Sequence, residues 1–503
     1  MFFQTYSAGV SGIEGFMVEV QADLSKGLPQ YSLVGLPDSA VRESKERVRA
    51  AIKNSGFSFP LGRITINLAP ANLRKQGPSF DLAVAVSILI VSGQWPNTLL
   101  KKTMLIGELS LDGQLKPTQG VLPMALSAKE QGFKRVVVPP ENAFEASLSG
   151  LAVYPLSHLK KFPLVFRHKS FQTSHSFQPI DYPYLFEHIT GHYQAKRSLE
   201  VAAAGAHNAL LIGPPGTGKT MLATALPSIL PPLSDDEWIN VIKIYSAAGK
   251  EINYDTPARP FRAPHHFITP AGMIGGGQYI RPGELTLAHH GVLFLDEFCE
   301  FSRRTLDLLR QPLEERRIEL HRHRSNITLP ASFILIASMN PCPCGYFGFE
   351  DELHPCHCTP AMVARYQRKI SGPLLDRFDI QLEVARLEPK EFLDTTPQIT
   401  ESSQTIQQRV VEAAQRQEAR FKDLPIRRNA DMSPLELKQF CPLTPDAQKL
   451  LHAVYQQFHL SHRSHHRILK LARTIADLAA REQISAADIA EAVQFKTLEK
   501  KFS

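Results

Sequence analysis

Gly213-Pro-Pro-Gly-Thr-Gly-Lys-Thr220, preceded by the apolar run Ala209-Leu-Leu-Ile212 and followed by Met221-Leu-Ala-Thr-Ala225, writes a buried strand, a glycine loop and a helix start consecutively. Gly213, Gly216 and Gly218 let backbone N–H groups turn inward around a phosphate chain, where side chains would clash or forbid the dihedrals. Pro214, Pro215 and Thr217 complete the loop. The N-terminus of the following helix adds its partial positive charge. Lys219 can reach β- and γ-phosphates, and Thr220 can offer a hydroxyl to Mg²⁺. The stretch reads as a complete Walker A loop for ATP with Mg²⁺, set in an α/β core.

Gly291-Val-Leu-Phe-Leu-Asp-Glu297 reads as a second buried strand, delivering two carboxylates at its C-terminal end, where a parallel α/β sheet puts its chemistry. Asp296 can hold Mg²⁺, directly or through water, while Glu297 is placed to polarise the attacking water. A third run, Phe333-Ile-Leu-Ile-Ala-Ser-Met339, ends at Asn340, a neutral polar residue able to orient that water or contact the γ-phosphate. Arg377, in Ser371-Gly-Pro-Leu-Leu-Asp-Arg-Phe-Asp379, and Arg463, in Ser461-His-Arg-Ser464, are of the residue type that stabilises charge on a transferring phosphoryl group. Ordinary surface ion pairs are the competing reading for both.

A chain of 503 residues has room for about three domains. Its apolar content of 43% and charged content of 21% are those of an ordinary folded protein and argue against wholesale disorder. The longest apolar run, Leu82 to Val91, falls far short of the roughly 20 residues a membrane helix needs, and Met1-Phe-Phe-Gln-Thr lacks a basic signal start. A cytoplasmic protein with no membrane partner is therefore expected. A net charge of +7 is compatible with a polyanionic partner. Five of the six cysteines fall between Cys299 and Cys358, a clustering that in a cytosolic chain points to metal rather than disulfide. Cys342-Pro-Cys344 and Cys356-His-Cys358, with His354 adjacent, can close a tetrahedral site for a structural Zn²⁺; four free thiols is the alternative. The site would brace an insertion over 341–360, immediately after Asn340.

In the N-terminal third, Phe16, Val18, Val20 and Ala22 alternate with Met17, Glu19 and Gln21, and Ile64, Ile66 and Leu68 alternate more cleanly, so sheet strands with one buried face are expected. Asp38 reads as the N-cap of a helix carrying Val41, Val48 and Ile52. An α+β domain over 1–165 follows, with a linker over 166–185. Gly77-Pro-Ser-Phe-Asp81, Leu105-Ile-Gly-Glu-Leu-Ser-Leu-Asp-Gly113 and Gly120-Val-Leu-Pro-Met-Ala-Leu-Ser-Ala128 resemble, in order and content, the proteolytic domain of the Lon protease family. Ser79 falls where that family keeps its nucleophile. The family places a lysine shortly after the glycine corresponding to Gly120, whereas Val121, Leu122 and Pro123 stand here, and Lys116 and Lys129 only flank the spot. A serine without a base stays protonated, so the resemblance implies a Lon-like fold without its proteolysis, and Ser79 is expected to be a helix N-cap.

Arg316-Arg-Ile-Glu-Leu320 and Ile327-Thr-Leu329 flank His321-Arg-His-Arg-Ser-Asn326, predicting a hairpin (314–331) with Arg322 and Arg324 at a basic tip. The tip reads equally as DNA phosphate contacts or as a solvated end. Helical spacing at Ile406, Val410, Ala414 and Phe421, from Thr444 through Phe458, through Ile468, Leu471, Ile475 and Leu478, and again after an N-capping Ser485, predicts a helical insert and lid over 386–503.

These residues together resemble the AAA+ ATPases, and within them the magnesium-chelatase-like branch. The signature continues through Arg262-Ala-Pro-His-His266, Gly275-Gly-Gly277, Arg281-Pro-Gly-Glu-Leu285, Leu287-Ala-His289, Leu309-Arg-Gln-Pro-Leu-Glu314, Asn340-Pro-Cys-Pro-Cys-Gly345 and Leu374-Leu-Asp-Arg-Phe378. With the Lon-like unit in front, nearly the whole chain resembles the YifB/ComM-type family. The resemblance implies a multidomain α/β protein with a parallel AAA+ core over 186–385. It further implies ATP hydrolysis by a homo-oligomeric ring, usually of six, in which Arg377 acts in the neighbouring subunit's site and Arg463 is the second sensor, also able to act in trans. The implied activity is a DNA motor driving branch migration or unwinding of single-stranded or branched DNA, in homologous recombination during natural transformation and alongside recombination proteins. It also places the basic hairpin in the pore and makes Gly275–Ile280 a second, mobile pore element. Two other readings compete. An ATP-dependent remodeller of the magnesium-chelatase type lacks its Asp-x-Ser-x-Ser metal-adhesion motif here, and an ATP-dependent protease lacks its lysine.

Overall fold

In the N-terminal residues, alternating buried and half-exposed positions build a four-stranded sheet from β1 (Phe2–Ser11), β2 (Glu14–Ser25), β3 (Gln30–Val34) and β4 (Arg63–Ala69), in the order β1-β2-β4-β3. The first two pairings are antiparallel and β3 runs parallel to β4. Val18, Val20, Ala22, Ile64, Ile66 and Leu68 all face inward, as their alternation predicts. Helix α1 (Ser39–Asn54) joins β3 to β4, with the Asp38 carboxylate accepting from the Val41 amide at 2.8 Å. Helix α2 (Asp81–Val91) is buried at every position, which is why its sequence is apolar all round. A second, three-stranded parallel sheet of β5 (Thr103–Leu105), β6 (Arg135–Val138) and β7 (Ala152–Pro155) packs nearby with helix α3 (Val121–Glu130).

The computed structural model describes residues 1–172, 177–277, 280–322, 325–349, 354–387, 401–458 and 461–495. Within them one expectation changes. Ser79 is not a helix cap: Phe80 precedes the first turn of α2, and the Ser79 hydroxyl donates instead to the Ala8 carbonyl at 3.4 Å. The sheet thus claims the hydroxyl that local sequence assigned to the helix. Leu159–Arg167 coils in 3₁₀ turns that bury Phe162 and Val165, with Phe162 stacked on Trp95 at 5.1 Å.

The central sheet is entirely parallel, ordered β9 (Phe261–Arg262), β10 (Val292–Leu295), β13 (Ile334–Met339), β8 (Ala209–Ile212), β14 (Ile380–Glu383). Between β10 and β13 lies an antiparallel hairpin of β11 (Arg317–Arg322) and β12 (Ser325–Pro330), with Leu320 opposite Ile327. Strand β8 is buried on both faces. Ala209 and Leu211 share one buried core with Leu199 and Ala202 of helix α4 (Tyr193–Gly205), while Leu210 and Ile212 share another with Leu285 and Phe298. Helices α5 (Lys219–Ala225), α6 (Asp235–Ala248) and α7 (Arg310–Glu315) belong to this core. The C-terminal helices are α8 (Ser403–Arg420), α9 (Pro434–Phe440), α10 (Pro445–Phe458), α11 (His462–Leu478) and α12 (Ala486–Gln494), the last capped by Ser485. A buried polar chain ties them to the core: His207 Nδ1 meets Asp379 at 3.0 Å and its Nε2 meets Thr474 at 2.8 Å. None of the described helices is long and apolar enough to cross a membrane.

Candidate nucleotide site

The loop between β8 and α5 closes on itself around a cation. Gly216 and Gly218 take φ values of 78° and 79°, the left-handed region in which a side chain is strained. A Cβ at Gly213 would run into the Val384 carbonyl, so only glycine lets the loop leave the sheet beside β14. Lys219 Nζ donates to the Gly213 and Pro214 carbonyls at 2.8 and 2.7 Å and lies 3.4 Å from Asn340 Oδ1. Burial lowers its pKa to about 8, against the opposing charge of Asp296. Thr217 donates to the Pro214 carbonyl at 3.0 Å and stiffens the turn.

Asp296 is the node of the site. Its Oδ2 accepts from the Thr220 hydroxyl at 2.9 Å, and its Oδ1 accepts from the Glu297 amide at 3.0 Å and from the Ser338 hydroxyl. Glu297 has φ 51°, an unusual value for a non-glycine residue, and its carboxylate stays more than half exposed. His266 Nδ1 lies 3.3 Å from Glu297 Oε2. Pro215 to Thr220, Asp296, Glu297 and Asn340 line a single cleft of about 360 Å³, together with Tyr184 and Ser338. Sequence reasoning missed three of these neighbours. Ser338 was within reach, since it precedes Asn340 on the same strand end, and His266 belongs to the Arg262–His266 motif. Tyr184 carried no signal, because it enters from a segment that reads as linker.

Arg377 and Arg463 are brought together, but away from this cleft. Both donate to Glu314 Oε1, at 2.6 and 2.8 Å. Glu314 ends the Leu309–Glu314 motif, whose role its spacing alone did not disclose.

The Sγ atoms of Cys342, Cys344, Cys356 and Cys358 all lie within 4.8 Å of one another. The separations of 3.3, 3.5 and 3.9 Å among the first three are too long for disulfides of about 2.05 Å. They bracket the edge of about 3.8 Å that four sulfurs at 2.3 Å from a central ion would show, so the donor set fits a tetrahedral metal. His354 stands apart from it, stacked on Tyr346 with its Nδ1 3.0 Å from Arg386. The loop carrying these thiols abuts the phosphate loop: a Cβ at Gly345 would lie 2.8 Å from Pro215 Cδ. Arg324 and the Arg322 side chain lie outside the described residues, as do Gln278 and Tyr279 of the second expected pore element.

A parallel sheet carrying this loop on one strand, two acids at the end of the next strand but one, and an asparagine at the end of the strand between them defines a P-loop ATPase of the AAA+ type. Comparison with known proteins gives the family. The family described as magnesium chelatase, subunit ChlI, matches residues 185–392, with companion matches to a ChlI subunit segment over 20–142 and to the ChlI C-terminal segment over 400–496. The chain is 42% identical over 498 residues to the YifB protein of Salmonella typhimurium, covering 97% of this chain and 96% of that one. It is 38% identical over 510 residues to the competence protein ComM of Haemophilus influenzae, covering 98% and 97%. A Lon protease of Trichlorobacter lovleyi shares 25% identity over 139 residues, only 26% of this chain. The chain belongs to the YifB/ComM family of magnesium-chelatase-like AAA+ proteins.

Proposed function

We propose that the protein is the subunit of an ATP-driven ring motor that acts on single-stranded or branched DNA. The observation that carries the ATPase part is the meeting of Lys219, Thr220, Asp296, Glu297 and Asn340 in one cleft, from strand ends far apart in sequence. In this reading the loop amides and Lys219 bind the β- and γ-phosphates. Glu297 takes a proton from the attacking water, and Asn340 orients that water. Thr220 and Asp296 would hold Mg²⁺, which supplies charge neutralisation on the phosphates. Both are already joined through one hydrogen bond, which makes a preformed pair of oxygen ligands. Cys342, Cys344, Cys356 and Cys358 would hold a structural Zn²⁺ that braces the loop beside Pro215.

Arg377 and Arg463 complete a neighbouring subunit's site, a reading supported by their distance from their own cleft and by their shared anchor. Residues 1–165 form the Lon-like unit, 166–185 the linker, 186–385 the ATPase core and 386–503 the helical insert and lid. The DNA part of the reading draws on the competence protein among the relatives and on the basic stretch His321-Arg-His-Arg324 of the sequence, expected at the hairpin tip. Measuring the ATPase rate of the full chain alone and with single-stranded, duplex and forked DNA tests it. A motor shows marked stimulation by at least one DNA form, whereas a rate indifferent to all three overturns the DNA assignment and leaves a remodeller of proteins or metal complexes.

A further inference from the structure

We propose that Glu314 is the positioning residue that holds Arg377 and Arg463 at one point, so that a single phosphate of the adjoining subunit meets both. The proposal rests on the reading that these arginines act across a subunit boundary. Arg377 is nearly immobilised: its Nε donates to the Arg310 carbonyl at 3.2 Å, one terminal nitrogen donates to the Pro373 carbonyl, and the other reaches Glu314 at 2.6 Å. Arg463 is held far less firmly. It is 44% exposed, and among the described residues its ion-pair partners are Glu314 at 2.8 Å and Asp376 at 3.9 Å.

Two physical costs oppose that placement of Arg463. A second guanidinium beside Arg377 is repelled by it. Arg463 also sits in the first turn of α11, where the helix terminus already carries partial positive charge. The shared Glu314 oxygen offsets both and fixes a long side chain that would otherwise sample many rotamers. Exposed ion pairs of this kind add little to stability, so the function of Glu314 lies in geometry. Its helix, α7, runs through Arg316 directly into hairpin strand β11, which links the arginine pair mechanically to the hairpin.

The test uses the full chain. Glu314→Ala should lower kcat by about 10²-fold, the cost of a misplaced transition-state group, while KM for ATP stays within about twofold. Its melting temperature should match the parent. Glu314→Asp, which keeps the charge that offsets the two guanidinium groups, should recover part of the rate, and neutral Glu314→Gln should recover less. Mixed with Lys219→Ala subunits, which carry an intact Glu314, the Glu314→Ala chain should regain turnover. If Glu314→Ala keeps full kcat where Arg377→Ala is inactive, Glu314 has no positioning role and the trans reading of the arginines stands. If Arg377→Ala itself keeps full kcat, the underlying reading falls first. Loss that tracks a lowered melting temperature, or that Asp relieves no better than Gln, overturns the proposal in favour of a structural role.

Discussion

Lys219 satisfies its ammonium group with two carbonyls of its own loop, and burial lowers its pKa to about 8. An arriving phosphate favours the charged form and raises that value again. The sign follows from linkage. Below about pH 8 the lysine is already charged and ATP affinity should be flat, but as pH rises through that value the free loop loses its proton while the complex keeps it. Affinity should then fall by up to about tenfold per pH unit, with one proton taken up on binding. Titration calorimetry near pH 9 in buffers of different ionisation enthalpy reads the uptake; a buffer-independent heat would contradict it. Glu297 makes a separate prediction, since its carboxylate is exposed and takes no part in holding the loop. Glu297→Gln should retain ATP binding and lose about 10²–10⁴ in turnover, the share of general-base catalysis. Near-parental hydrolysis in single-turnover assays would assign the base to another group.

The four cysteines and the phosphate loop are adjacent elements, joined where Gly345 meets Pro215. About one zinc per chain is therefore expected in protein purified under reducing conditions without chelator. Removing it should loosen the backbone around Asn340 and weaken ATP binding, because ligand organisation and local folding are the same event in such a site. Elemental analysis finding no metal would remove the claim, and hydrogen exchange at 338–346 measures the loosening. The elements of this region were legible in sequence because each carries its own local pattern: an apolar run ending in acids, a glycine loop before a helix, paired thiols two residues apart. What local pattern could not show is which partners distant segments choose. The Ser79 hydroxyl was claimed by β1 rather than by α2, and Glu314 gathered Arg377 and Arg463 from 63 and 149 residues further along the chain, contacts decided only by how the core and the C-terminal helices pack.

The N-terminal residues are fastened to the nucleotide-binding core by polar and apolar contacts, among them a buried cluster of Leu122 with Trp238 and Ile242. Buried Glu145 accepts from the Leu122 amide at 2.8 Å and from the Ser246 hydroxyl of α6, Lys243 of the same helix pairs with Glu14 at 2.6 Å, and Ile13 packs among Ile318 and Leu329 at the base of the hairpin. Movement of α6 or of the hairpin is therefore felt by both units. Among the described residues, Arg377 and Arg463 lie outside the cleft that Lys219 and Glu297 line, so on the proposed reading one chain holds an incomplete reaction centre. Arg377→Ala should abolish hydrolysis while leaving nucleotide binding intact, and Lys219→Ala should be inactive for the opposite reason. Mixing the two separates a trans group from a cis one. In rings assembled at random from equal amounts, about a quarter of the head-to-tail interfaces join an intact Lys219 cleft to an intact Arg377 neighbour, so up to about a quarter of parental turnover should return from two inactive preparations. A group acting within its own subunit cannot be supplied this way, and mixed rings verified by differential tagging that stay inactive would show that Arg377 serves its own chain.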